Sequence, residues 1–267
     1  MRYIILVFLI TNLQWVYTQQ YDNVYIEKDS ININNKIFRP GTVFIYDFEI
    51  KKGDKSFSLI QLPKKNSFKL TEVEEDSVVN NEIHLAVNYE LPDYNKDQTK
   101  ISYYERPVLQ PFSSTGAVEN DKNVWIHPIR TGFFKSLETC PFPYIKKPFI
   151  KGNKWKDQML IGENWSHEFW GEWEGKLLLN YQYSIIDQQI LNTPLGKLNC
   201  FVIKSTATSK KGETELISYF SEQYGFVKLE YKLITGIIIN MSLGNIQFNK
   251  KFKSFEEFYK TNEYIKD

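Results

Sequence analysis

Residues 226–233, "FVKLEYKL", alternate without a break: Val227, Leu229, Tyr231 and Leu233 fall on one face of an extended chain, and Lys228, Glu230 and Lys232 on the other. That period of two predicts a strand with one wet side. Runs of strand length lie around it: "LLLNYQYSII", "KLNCFVIKSTAT", "ELISYF" and "IIINMSL". Turn-forming stretches punctuate them: "NTPLGK", "SKKGET", "EQYG", "ITG" and "SLGN". Strands joined by such short turns are antiparallel neighbours, because parallel pairing needs a long crossover. The C-terminal half is therefore expected to be an antiparallel meander.

The N-terminal half predicts further strands at "NVYIEK", "TVFIYDFEI", "SFSLIQL", "EIHLAVNYEL" and "ISYYER". In "TVFIYDFEI" apolar residues occupy both faces, which predicts a strand covered on both sides. "YELPDYNKDQTK" reads as a loop from Pro92, Asp93 and Asn95, and the acidic cluster Glu72, Glu74, Glu75 and Asp76 as a solvated turn or edge. At the other end, "SFEEFYKTNEYIKD" predicts a short helix capped at Ser254. Between the two β-rich parts lies an aromatic, proline-marked connection, roughly residues 121–175, in which "KWKDQMLIGENWSHEFWGEWEGK" alone holds four of the six tryptophans: Trp155, Trp165, Trp170 and Trp173. No Gly/Ser-rich linker separates the parts, so one β-rich domain over 20–267 is expected.

Residues 1–19 combine Arg2 with an apolar run from Ile4 to Ile10. The run is too short to span a bilayer and predicts a secretory signal peptide, hence an exported chain. No later stretch is long and apolar enough for a transmembrane segment. Losing the leader takes Arg2 from the 33 basic residues and none of the 32 acids, leaving 32 of each. With four arginines in all, at 2, 39, 106 and 130, the chain lacks the basic surplus of a nucleic-acid binder. Aromatic residues make up 16% of the chain, which favours half-buried pleated surfaces. Cys140 and Cys200 are compatible with a disulfide in an oxidising compartment, although their spacing alone decides nothing.

The motifs of catalysis are missing. His167 and Glu168 begin an HExxH-like pattern, but position 171 is Gly171, not a second histidine. No G-x-S-x-G elbow, calcium loop or phosphate-cradling glycine loop occurs. Cys140 could pair with His127 or His167, but nothing around it marks an activated thiol. Neither catalytic nor metal-ligating residues are assigned, and no cofactor is expected.

"DKNVWIHPIRTGFFKSLETCPFPYIKK" concentrates unusual residues: Trp125, His127, Arg130 and Cys140. Pro128 forces His127 out of the helical region, so "VWIHP" reads as a strand end. Pro141 and Pro143 stiffen the chain so that Phe142 and Tyr144 press onto a core. Arg130 has two expected partners, backbone carbonyls at the strand exit or the face of Trp125. The segment reads as a brace. A curved sheet with aromatic faces can nonetheless hold an apolar or sugar-like ligand in its mouth. The candidate ligand-binding residues are then Trp125, Trp165, Trp170, Trp173, His127 and Arg130, the alternative being that the tryptophans complete the core.

The run "TPLGKLNCFVIKSTATSKKGETELISYFSEQYGFVKLEYKL" resembles the C-terminal pattern of an uncharacterised family of exported β-sheet proteins in Gram-negative bacteria. The matching positions are Pro194, Gly196, Cys200, Tyr219, Phe220, Tyr224, Gly225, Val227 and Lys228, covering about a fifth of the chain. The resemblance implies an envelope protein with a curved antiparallel sheet, somewhat like the half-barrels of periplasmic lipoprotein carriers, and supplies no catalytic residues. The expected fold is thus mainly β: a curved antiparallel meander sheet or half-barrel with a short C-terminal helix. The expected function is that of a non-enzymatic exported envelope protein, periplasmic first, with the cell surface or medium as alternatives. Its candidate partners are an apolar or lipid-like ligand or another envelope protein. The competing readings are an envelope-polymer hydrolase using His127, His167 and nearby carboxylates, and an interaction subunit of an envelope assembly.

Overall fold

In the computed structural model, which describes residues 23–24, 35–62, 67–72, 79, 81–88, 98–106 and 112–250, every strand belongs to one sheet of fifteen. The predicted leader and C-terminal helix, most of "NVYIEK" and most of the acidic cluster lie outside the described residues. Among the described residues there is no α-helix, and no helix is long and apolar enough to cross a membrane.

The meander appears as expected. Strands β10 (Lys154–Gly162), β11 (Lys176–Thr193), β12 (Gly196–Ser209), β13 (Gly212–Ser221), β14 (Gly225–Lys232) and β15 (Ile237–Gln247) pair in sequence order, all antiparallel. In β14 the predicted apolar face is buried, while Lys228, Glu230 and Lys232 reach solvent in part or fully. Gly225 supplies the positive φ, +75°, that the "EQYG" turn requires. A Cβ there would also meet Ile37 Cγ2 at 2.9 Å.

Two elements depart from the pattern reading. "SLGN" is not a turn: β15 runs through it, with a bulge between Leu243 and Asn245 that absorbs Gly244. The supposed connection of 121–175 contains β10, a strand of the main sheet paired along its whole length with β11. Its mixed sequence, "KWKDQMLIG", hides the alternation.

The two halves of the chain fuse where β15 pairs with β2 (Val43–Lys52), from Ile237↔Lys52 to Gln247↔Val43. The sheet continues through β5 (Glu82–Val87), β6 (Thr99–Arg106), β7 (Phe112–Glu119), β8 (Asn123–Ile126) and β9 (Tyr144–Lys146). The two-residue β1 (Asn23–Val24) extends the other end beside β10. The first four residues of β2 are buried on both faces, as its sequence predicts. Off this path, β3 (Lys55–Gln61) and β4 (Phe68–Thr71) form a hairpin carried by β2.

The sheet curls until its ends meet through side chains. Tyr144 of β9 lies edge-on to Trp155 of β10 and Tyr183 of β11, with ring centroids 5.5 and 5.4 Å apart, and Trp155 and Tyr183 stack at 2°. Bulges between Ile185 and Asp187 and between Tyr219 and Phe220 add to the twist that produces this curl.

Candidate functional site

The chain from His127 to Pro143 leaves β8, enters the curl and fills it. Its centre is a 3-10 helix, Gly132–Thr139, introduced by Gly132 at φ +54°. Phe134 packs edge-on to Phe48 of β2 at 5.1 Å, and Phe133 to Phe68 of β4 at 5.5 Å. The Tyr103 hydroxyl of β6 donates to the His127 carbonyl, and the Thr214 hydroxyl of β13 to the Thr139 carbonyl. Phe142 meets Tyr181 of β11 at 6.2 Å. The brace is thus gripped from five strands, and Phe142, between Pro141 and Pro143, and Tyr144, just after them, are buried as expected. What remains between Tyr46, Tyr103, Tyr231, Ile129, Leu137 and Pro143 is a cavity of about 10 Å³, barely the room for one water.

Within this plug sits a charged group that the sequence pattern did not single out. Glu138 is completely buried, with its Oε1 2.9 Å from Arg130 Nε and 3.5 Å from His127 Nδ1. A lone acid between "GFFKSL" and "TCPFP" was the available signal: an acid in an aromatic-rich segment that packs onto a core needs a partner on burial. His127 Nδ1 also lies 3.1 Å from the Pro128 carbonyl, and since both neighbours are acceptors the imidazole proton belongs on Nδ1. Burial, reinforced by Arg130 and opposed by the Pro128 carbonyl, pushes the His127 pKa down to about 3. The ring is therefore neutral and packs on Phe142 at 4.5 Å.

The Arg130 guanidinium pairs with Glu138 and lies over Trp165, 4.7 Å from the ring centroid. Lys135 Nζ stands 5.3 Å from the same centroid and donates to the Asn164 carbonyl. Burial lowers the Lys135 pKa, with the Glu138 carboxylate working in the opposite direction.

All four tryptophans among the candidates are buried. Trp125 approaches Phe142 at 6.3 Å. The Trp170 indole N–H donates to the Trp165 carbonyl, and that of Trp173 to the Gly162 carbonyl. Contacts thus connect Trp125, His127, Arg130, Trp165 and Trp170 into one string by way of Phe142 and Glu138, while Trp173 is tied to the end of β10. Only the Arg130 side chain, 28% exposed, keeps appreciable contact with solvent.

At the outer end of the string a five-residue loop closes on itself. His167 N–H donates to the Gly171 carbonyl, and Gly171 N–H to the His167 carbonyl. His167 stacks on buried Trp170 (4.5 Å, 18°) and lies nearly parallel to Phe169 (5.5 Å, 12°). Phe68 stands 5.5 Å from both His167 and Phe169. Phe68, His167 and Phe169 are all half-buried.

Both cysteines are free and buried. Burial raises the Cys140 thiol to about 12 and the Cys200 thiol to about 11, so neither is an activated nucleophile. Among the described residues no group of three or more His, Cys, Asp or Glu is placed to hold a metal ion. A separate open groove of about 640 Å³ runs beside Pro148, Phe149 and Ile150, rimmed by Asp121, Lys147 and Glu222.

The fold defined by these features is a curled, internally filled antiparallel sheet. No family model and no curated protein matches the chain. It is similar to a candidate exported protein with a YmcC-like fold from Bacteroides fragilis, at 11% identity and TM-score 0.45, over 82% of this chain and 100% of that one. It is also similar to a candidate lipoprotein from Parabacteroides distasonis, at 11% identity and TM-score 0.42, over 80% of this chain and 100% of that one. A third similar structure is the hypothetical lipoprotein YmcC from Escherichia coli, at 11% identity and TM-score 0.36, over 78% and 85% of the two chains. These are proteins of the kind that the C-terminal run resembles.

Proposed function

We propose that this chain is a non-enzymatic, exported envelope protein, periplasmic after removal of residues 1–19, whose single β-rich domain over 20–267 binds on its outer surface. The observation that carries this reading is the filled interior. A carrier of lipid-like molecules needs an apolar cavity of several hundred Å³. Here Phe133, Phe134, Leu137 and Phe142 occupy the curl, and the cavity beside Leu137 and Pro143 holds about 10 Å³. An acyl chain inside the sheet would have to displace the plug and its buried Glu138–Arg130 pair. Trp125, Trp165, Trp170, Trp173, His127 and Arg130 then act as the frame behind the binding surface, with Arg130 its one substantially exposed member.

The hydrolase reading needs His127 and His167 to share a reacting centre. His127 is buried in the plug against Phe142, whereas His167 lies in the outer loop against Trp170, and Glu138, Arg130 and Trp165 stand in the string of contacts between them. A second reading, an interaction subunit, is favoured by Ile150 and Ile190, which are 59% and 69% exposed.

Native mass spectrometry of the mature protein, purified without detergent from fractionated cells, tests the proposal. A bare polypeptide mass recovered from the periplasmic fraction is the expected result. A retained lipid, or protein confined to the cytoplasm, overturns it.

A further inference from the structure

We propose that the ring ledge formed by Phe68, His167 and Phe169 over Trp170 is a binding site for an uncharged saccharide. This rests on the reading of an exported protein that binds on its surface, and it names the site and the ligand class.

The ledge is prebuilt. The reciprocal backbone hydrogen bonds between His167 and Gly171, 3.0 and 2.8 Å, close the loop, and the Thr235 hydroxyl holds the Phe169 carbonyl at 2.9 Å. Beneath it, the Trp170 indole is fixed at 2.8 Å to the Trp165 carbonyl, and Phe133 backs both Phe68 (5.5 Å) and Trp170 (6.4 Å). Little order has to be imposed on binding, which lowers the entropic cost.

Three of the rings share a direction: His167 lies at 18° to Trp170 and 12° to Phe169, while Phe68, at 21° to Trp170, is tilted by 36° from His167 and by 48° from Phe169. Core aromatics more often meet edge to face, as Phe133 and Phe134 do at 65°. Near-parallel, half-exposed rings present the flat, electron-rich face that the C–H groups of a pyranose cover.

Charge selects among ligands. Glu168, within the loop, and Glu163, Glu172 and Glu174, around it, are exposed carboxylates. They are good acceptors for sugar hydroxyls and repel an anionic polymer. Lys135 and Arg130 lie over Trp165, behind the ledge, and are drawn towards buried Glu138. Phe133, packed against Phe68 and Trp170, occupies the interior directly behind the ledge.

Isothermal titration of the mature protein with cellohexaose, maltohexaose and chitohexaose, beside an oligoglucuronate of equal length and phosphatidylglycerol vesicles, tests the site. At least one neutral hexamer is expected to bind, with the oligoglucuronate at least about 10-fold weaker and the vesicles silent. Phe169→Ala is expected to weaken binding about 10-fold in protein that still unfolds cooperatively, and Ile190→Ser, far along the β11–β12 hairpin, to leave it unaltered. No binding of any neutral hexamer, stronger binding of the oligoglucuronate or the vesicles, or an unaffected Phe169→Ala overturns the inference. None of these results bears on whether the protein is exported or retains lipid.

Discussion

Emptying the plug at Phe142 is the sharpest test of the filled interior. The ring is completely buried between Trp125, His127 and Tyr181, with centroids at 6.3, 4.5 and 6.2 Å, and the flanking prolines leave its backbone little freedom to collapse into a void. A buried phenylalanine hides roughly 150–200 Å². At about 25 cal/mol per Å² its loss is worth about 4–5 kcal/mol. That agrees with the ~3–5 kcal/mol usual for Phe→Ala in cores. Against a domain stability of about 5–15 kcal/mol, Phe142→Ala should remove about a quarter or more. Urea denaturation of the mature protein, followed by tryptophan fluorescence, reads this as a lower midpoint at constant slope. Phe142→Leu, which refills most of the space, should cost about 1–2 kcal/mol. A loss below about 1 kcal/mol for Phe142→Ala would mean that residues 140–144 lie on the surface, and the argument against an internal ligand would fall with it.

Three further outcomes are expected. Glu138→Gln strips the carboxylate from Arg130, and because Arg130 keeps partial solvent contact the expected loss is about 2–3 kcal/mol, below that of a fully buried pair; a urea midpoint measures it. The unfolded chain takes up a proton at His127 near its ordinary value, but the folded chain only near 3, so this contribution to stability is complete above about 6.5 and is lost as pH falls towards 3. Urea midpoints at pH 7, 5.5 and 4.5 should fall accordingly, and less steeply in His127→Gln; parallel slopes would show that His127 does not titrate in this way. Finally, Cys140 and Cys200 should resist an aromatic disulfide reagent in the native protein and react as two free thiols in guanidinium, with fewer than two indicating a bridge.

The meander was legible because side-chain alternation is a property of each strand alone. Val227, Leu229 and Tyr231 had to lie together whatever the rest of the chain did, and the turn at Gly225 needed a positive φ that few residues adopt. The brace was equally local, since proline acts on its immediate neighbours at Pro128, Pro141 and Pro143. Tertiary structure alone decided three things: that β15 would pair with β2 and fuse the halves, that the brace would turn inward and occupy the curl, and that Arg130 would meet Glu138 and Trp165. Each is a choice among distant partners. Periodicity records which face of an element is apolar but not which surface covers it, and a charge eight residues from its counter-ion is matched only once the 3-10 helix folds the chain back.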